Sequence, residues 1–123
     1  PDPARGGACK RVLLLLRWMI RGGGGGDPID RGCWTGVPTS ALLVPLETHV
    51  ARISLQLGHT RRRDVTWATA EDVTASLRRI DPQDPVRYDF ALCHLGMSGA
   101  CPRRRSRSAC GGCALKGACI RFC

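Results

Sequence analysis

Five of the eight cysteines fall in the last 23 of the 123 residues, at Cys101, Cys110, Cys113, Cys119 and Cys123. A disulfide scaffold spreads its bridges along the chain. Eight cysteines in 123 residues is also below the density of a disulfide-built secreted domain. Clustering of this kind favours a metal or iron–sulfur site in a reducing compartment, so a cytoplasmic protein is expected. The spacing is Cys101-x8-Cys110-x2-Cys113-x5-Cys119. Four thiolates in a short irregular loop can close around a [4Fe–4S] cluster, one sulfur per iron. Zinc is the alternative, although zinc knuckles usually pair two C-x2-C units and only one is present. Uncoordinated thiols are the bland reading. Cys123 is then a spare thiol, and Cys9, Cys33 and Cys93 are core or loop cysteines.

Upstream of that tail the chain reads as all-α: a helical domain over 1–100, followed by the cysteine-rich loop 101–123. A chain this long buries roughly two thirds of its unfolded surface and needs no cysteine scaffold. A first helix is predicted over Ala8 to Arg21, with Val12, Leu15 or Leu16, Met19 and Ile20 facing inward. The glycine run at 22–26 ends it as a flexible loop. Asp27 replaces the last glycine of a G-x-G-x-x-G pattern and no Gly-Lys-Ser/Thr follows, so a phosphate loop is not indicated. Pro28 to Pro45 reads as irregular, with a turn of helix at Thr39–Val44.

A second helix is predicted from Glu47 to Leu57 on the stripe Leu46, Val50, Ile53 and Leu57, closed by Gly58 as its C′ residue. The third has Thr66 as N-cap and the stripe Trp67, Ala70, Val73, Leu77 and Ile80. Asp84-Pro85 opens a fourth, with Val86, Phe90, Cys93 and Met97 buried and Gly96 or Gly99 at its end. Trp18, Trp34 and Trp67 read as core.

Nineteen Lys and Arg against ten Asp and Glu give a net charge of +9, and seventeen of the nineteen are Arg. A GC-rich genome accounts for part of that bias. The distribution argues for more, because Arg61, Arg62 and Arg63 form one block, and the last 23 residues hold six basic residues and no acid. Such a surface attracts polyanions, nucleic acid above all. The few aromatic residues do not furnish a stacking platform for single strands. The longest apolar run, Val12 to Leu16, is five residues. That is too short for a membrane span or a signal peptide, so no membrane is expected as partner.

Three segments carry a resemblance. Arg17-Trp18-Met19-Ile20-Arg21, Pro45-Leu46-Glu47-Thr48-His49-Val50-Ala51-Arg52 and Asp84-Pro85-Val86-Arg87-Tyr88-Asp89-Phe90-Ala91-Leu92 resemble an uncharacterised bacterial family known only as a domain of unknown function. Its members carry R-W-M-[VI]-R, I-P-L-D-T-H-V-A-R and D-P-V-x-Y-D-F-A-L, and the chain is similar to their C-terminal half. That family is in turn distantly similar to the helix-hairpin-helix DNA glycosylases of the endonuclease III type. These share a V-D-T-H-V-x-R segment and hold a [4Fe–4S] cluster on C-x6-C-x2-C-x5-C.

The resemblance implies a fold like part of those glycosylases, duplex DNA as partner, and Glu47 at the position of the carboxylate that stabilises an oxocarbenium-like sugar. It also implies phosphate contacts from the loop in the first cysteine gap, here Arg103, Arg104, Arg105 and Arg107, beside Arg61, Arg62 and Arg63. The departures weaken catalysis. The phosphate-holding hairpin L-P-G-[VI]-G is absent, and the only lysines are Lys10 and Lys116. Glu47 also reaches one methylene further than aspartate, and a misplacement of about 1 Å can cost roughly 10²-fold. The plainer reading is that Glu47 offsets the helix dipole for about 0.3–1 kcal/mol. The expectation is an iron–sulfur, DNA-binding helical domain with little or no base release. A zinc-stabilised interaction module without DNA chemistry is the alternative.

Overall fold

The computed structural model describes residues 2–22 and 29–121. Most of the predicted glycine loop, from 23 to 26, lies outside the described residues, as does Cys123. Among the described residues five α-helices follow one another: α1 Lys10–Ile20, α2 Thr48–Gln56, α3 Trp67–Ile80, α4 Asp89–Met97 and α5 Arg107–Gly111. Short 3-10 turns occupy Pro3–Arg5, Thr39–Ala41 and Lys116–Ala118. No strand forms among the described residues. A single antiparallel bridge, Gly7 to Thr66, pins the lead-in to the start of α3.

Local chemistry sets α2 and α3 as the sequence predicts. The Glu47 carboxylate accepts the Val50 N–H at 2.9 Å and caps α2, and Gly58 follows its end at φ +76°. Thr66 caps α3 by accepting the Thr69 N–H. The faces these helices bury meet in one core. Leu46, Val50 and Ile53 are each 1% exposed, and Val73 is fully covered. Each such side chain contributes about 1.5–3 kcal/mol, so the seam outweighs any single cap of about 1 kcal/mol. The irregular connection joins it through Leu42 and Val44. The Val44 N–H donates to the Thr74 hydroxyl at 2.9 Å, and that hydroxyl donates to the Ala70 carbonyl.

Helices α1 and α4 are turned from their predicted faces. On α1 the buried residues are Leu13 and Arg17, with Leu16 and Ile20 partly covered, while Val12, Leu15 and Trp18 are exposed. Helix α4 starts at Asp89, not Asp84, because residues 84–88 form hydrogen-bonded turns that bury Pro85 and Val86. Its inner residues are Asp89, Leu92 and Gly96, whereas Phe90 and Met97 stand in solvent. Trp34 is likewise exposed and Ile80 more so, while Trp67 is half-buried. One cause accounts for both rotated helices. Arg17 and Asp89 pair with each other in the interior, so each helix turns a charged residue inward and its apolar neighbours outward.

The tail is not all loop. Ser106 caps the five-residue α5, and backbone groups of Cys101 and Ile120 dock the segment on α2. The Ile120 N–H donates to the Gln56 carbonyl at 2.9 Å. The Arg52 guanidinium donates to the carbonyls of Cys101 at 2.9 Å and Gly96 at 3.2 Å.

Candidate functional site

Glu47 stands at the first turn of α2 with its carboxylate committed to the backbone. Burial pushes its carboxyl up, but hydrogen bonds from the N–H groups of Val50 and His49 and from the Cys93 thiol outweigh that and hold it below the usual range. Cys93 is affected in the opposite sense, raised first by burial and then by the Glu47 charge. A cavity of about 200 Å³ opens here, and its walls include Lys10, Arg17, Glu47, Asp89 and Cys93. Lys10 therefore shares a cavity with Glu47, although it lies far upstream in sequence and was not expected near the acidic helix. Only the helix packing brings them together.

The arginines divide. Arg62, Arg63 and Arg103 line one cleft of about 280 Å³ beside α2, together with Arg52, Thr48 and His49. Arg62 also pairs with Asp72 at 3.0 Å across the surface. Arg61, Arg104 and Arg107 are exposed but do not line the cleft, and Arg105 lines a neighbouring cavity. The Arg61–Arg63 block and the tail thus converge through one residue of the tail, Arg103. Sequence reading gave Arg52 no role, yet it both lines the cleft and ties α2 to the tail. The signal available was its place in the quoted Thr48-His49-Val50-Ala51-Arg52 segment.

Cys101, Cys110 and Cys119 line a small cavity of about 30 Å³ with Gln56 and Arg105. Cys113 is not among its walls. The Cys101 thiol donates to Gln56 Oε1 at 2.9 Å, leaving Gln56 Nε2 buried with no hydrogen-bond partner. The two ends of an amide are assigned by their partners. Exchanging them would point the NH₂ at Cys101, the donor that a metal-bound thiolate sulfur requires. The chemistry of the donors therefore suits a metal. Their present arrangement is open: among the described residues no group of three or more His, Cys, Asp or Glu is close enough to hold an ion.

A third constellation escaped the sequence reading. Arg17 pairs with Asp89 and, at 3.1 Å, with Asp30, whose side chain is fully buried. Arg21 bonds the same Asp30 and spans Asp84 at 2.8 Å. Burial raises the Asp89 carboxyl more than Arg17 lowers it, whereas Asp84 and then Asp30 hold the Arg21 guanidinium more firmly protonated. Two segments quoted for the resemblance, Arg17 to Arg21 and Asp84 to Asp89, are thus locked to each other through Asp30.

Residues 1–98 match the family described as a protein of unknown function, DUF2400. The chain belongs to that family. The DUF2400 match takes in the charged lock, Glu47, the Arg61–Arg63 block and all of helices α1 to α4. It stops short of Cys101, so the cysteine tail and Arg103 lie outside the part that identifies this DUF2400 chain. No curated protein and no solved structure matches the chain significantly. No helix among the described residues is long and apolar enough to cross a membrane.

Proposed function

We propose that this DUF2400 chain binds the phosphate backbone of duplex DNA in the cleft between α2, the α2–α3 connection and the tail. The observation that carries the reading is the convergence of Arg62, Arg63 and Arg103 on one cleft, with Arg52 at its wall. Sequence-distant guanidiniums held around one concavity attract a polyanion more strongly than scattered surface charge. The implied kinship to helix-hairpin-helix glycosylases enters only through the basic loop of the first cysteine gap, since the phosphate-holding hairpin is absent. Glu47 acts as a helix cap, and its engagement by backbone N–H groups supports a binding module rather than a base-releasing enzyme. If about 4 to 6 phosphates are neutralised, log K falls with log salt at a slope of roughly −4 to −5. Changing Arg62, Arg63 and Arg103 together to Ala flattens that slope by about 2.7. An unchanged slope in a triple variant with wild-type circular dichroism overturns the reading.

A second reading concerns the tail, and Gln56 with its neighbouring thiols supports it. In this reading Cys101, Cys110, Cys113 and Cys119 would hold a metal and fix the shape of the tail. The spacing suggests a [4Fe–4S] cluster, with zinc as the alternative occupant. Elemental analysis of the anaerobically purified protein is expected to find four irons per chain with visible absorbance, lost when Cys101 and Cys119 become Ser. One zinc per chain without iron would replace the cluster by zinc, and metal-free protein would sink both.

A further inference from the structure

The arginine cleft does not end at α2. A second cleft, of about 560 Å³, lies against the first turn of the same helix, and Thr48 and Val65 line both. The two therefore adjoin at Thr48 and Val65. The far wall of the second cleft is built by the start of α1, with Lys10 and Arg11 beside Ala8 and Cys9. Both basic side chains are exposed, and neither makes an ion pair among the described residues. The only acid on its walls is Glu47, whose carboxylate accepts the N–H of Val50. The floor, Leu46 and Val65, is apolar.

We infer that Lys10 and Arg11 form the second end of the nucleic-acid track, so that one phosphodiester strand runs from Arg103, Arg62 and Arg63 across Thr48 and Val65 to α1. The inference rests on the phosphate-backbone reading and extends it to two residues that neither the charge runs nor the motifs mark. Charge complementarity selects the occupant. Basic groups line two adjoining clefts whose shared residues, Thr48 and Val65, are uncharged, and the one acid beside them, Glu47, is a capped carboxylate. A polyanion that repeats its charge along its length engages both ends, whereas a single phosphate engages one.

The test compares three variants of the whole chain in salt titrations of duplex DNA binding. Lys10→Ala/Arg11→Ala is expected to flatten the log K against log salt slope by about 1.8. Lys10→Arg/Arg11→Lys is expected to keep the wild-type slope. Both positions are exposed in the first turn of α1, and thermal melts confirm that the fold is kept. A wild-type slope in Lys10→Ala/Arg11→Ala, while the Arg62, Arg63 and Arg103 triple variant flattens, overturns the second end and leaves the first reading standing. No change in the triple variant removes that first reading instead. Inorganic phosphate is the remaining arm. Saturable phosphate binding that depends on Lys10 and Arg11, with the DNA slope unchanged by their loss, overturns the strand in favour of a single-anion pocket.

Discussion

Replacing Arg17 with Met is expected to remove about 3–5 kcal/mol of stability, read as a lower midpoint in urea unfolding at neutral pH. The chain's net stability is of the order of 5–15 kcal/mol, so this one change takes a large share of it. The size follows from what is left behind. Arg17 is 7% exposed and holds Asp89 and Asp30, which are 4% and 2% exposed. Deleting the cation keeps two carboxylates out of water, with Arg21 reaching only Asp30 of that pair. The deficit also carries a pH signature. Burial already raises the Asp89 carboxyl in the folded chain, and an acid raised on folding costs stability that grows as pH climbs from its unfolded value through its folded one. Losing Arg17 enlarges that cost, so the gap between variant and wild type is expected to narrow toward acid pH. A gap that is flat with pH, or below about 1 kcal/mol, would show that the lock contributes little.

That lock also marks the boundary of what the sequence reveals. Helices α2 and α3 are legible because their determinants are local. An N-cap acid or threonine stands at each start, a glycine follows α2, and the buried faces hold small or uncharged polar residues beside the apolar stripe but no charge. Helices α1 and α4 are legible as helices but not in their facing. Hydrophobic periodicity assigns charges to the outside, and in Arg17 and Asp89 the interior holds a charge on each helix. Nothing in either segment alone marks its arginine or aspartate as buried, since each is tolerable there only because the other is. The candidate site divides in the same way. The Arg61–Arg63 block and the cysteine spacing stand out along the chain. That Arg103 rather than Arg104 or Arg107 reaches the cleft, that Gln56 sits against Cys101, and that Lys10 approaches Glu47 are all consequences of packing.

The second large effect is expected at Gly96, where α4 crosses α2. A Cβ built there would lie 2.7 Å from the Cβ of His49 and 3.0 Å from its Nδ1. The nearest atom belongs to the rigid base of a side chain, not to a tip that can swing away. In an open helix, alanine would gain about 0.8–1 kcal/mol over glycine. Here overpacking, typically about 1–3 kcal/mol, opposes that gain. Gly96→Ala is therefore expected to destabilise by up to about 2 kcal/mol once the gain is offset. Gly111→Ala in α5, where the new Cβ meets nothing within 4 Å, is expected to be neutral or mildly stabilising. The contrast separates a steric cost from a general dislike of substitution. The crossing also carries function in the proposed reading, because the Gly96 carbonyl accepts from Arg52, and His49 and Arg52 line the arginine cleft. Parting the helices should weaken DNA binding in Gly96→Ala and leave it unchanged in Gly111→Ala. Equal stability in the two variants would mean that the close approach is not what glycine provides at this crossing.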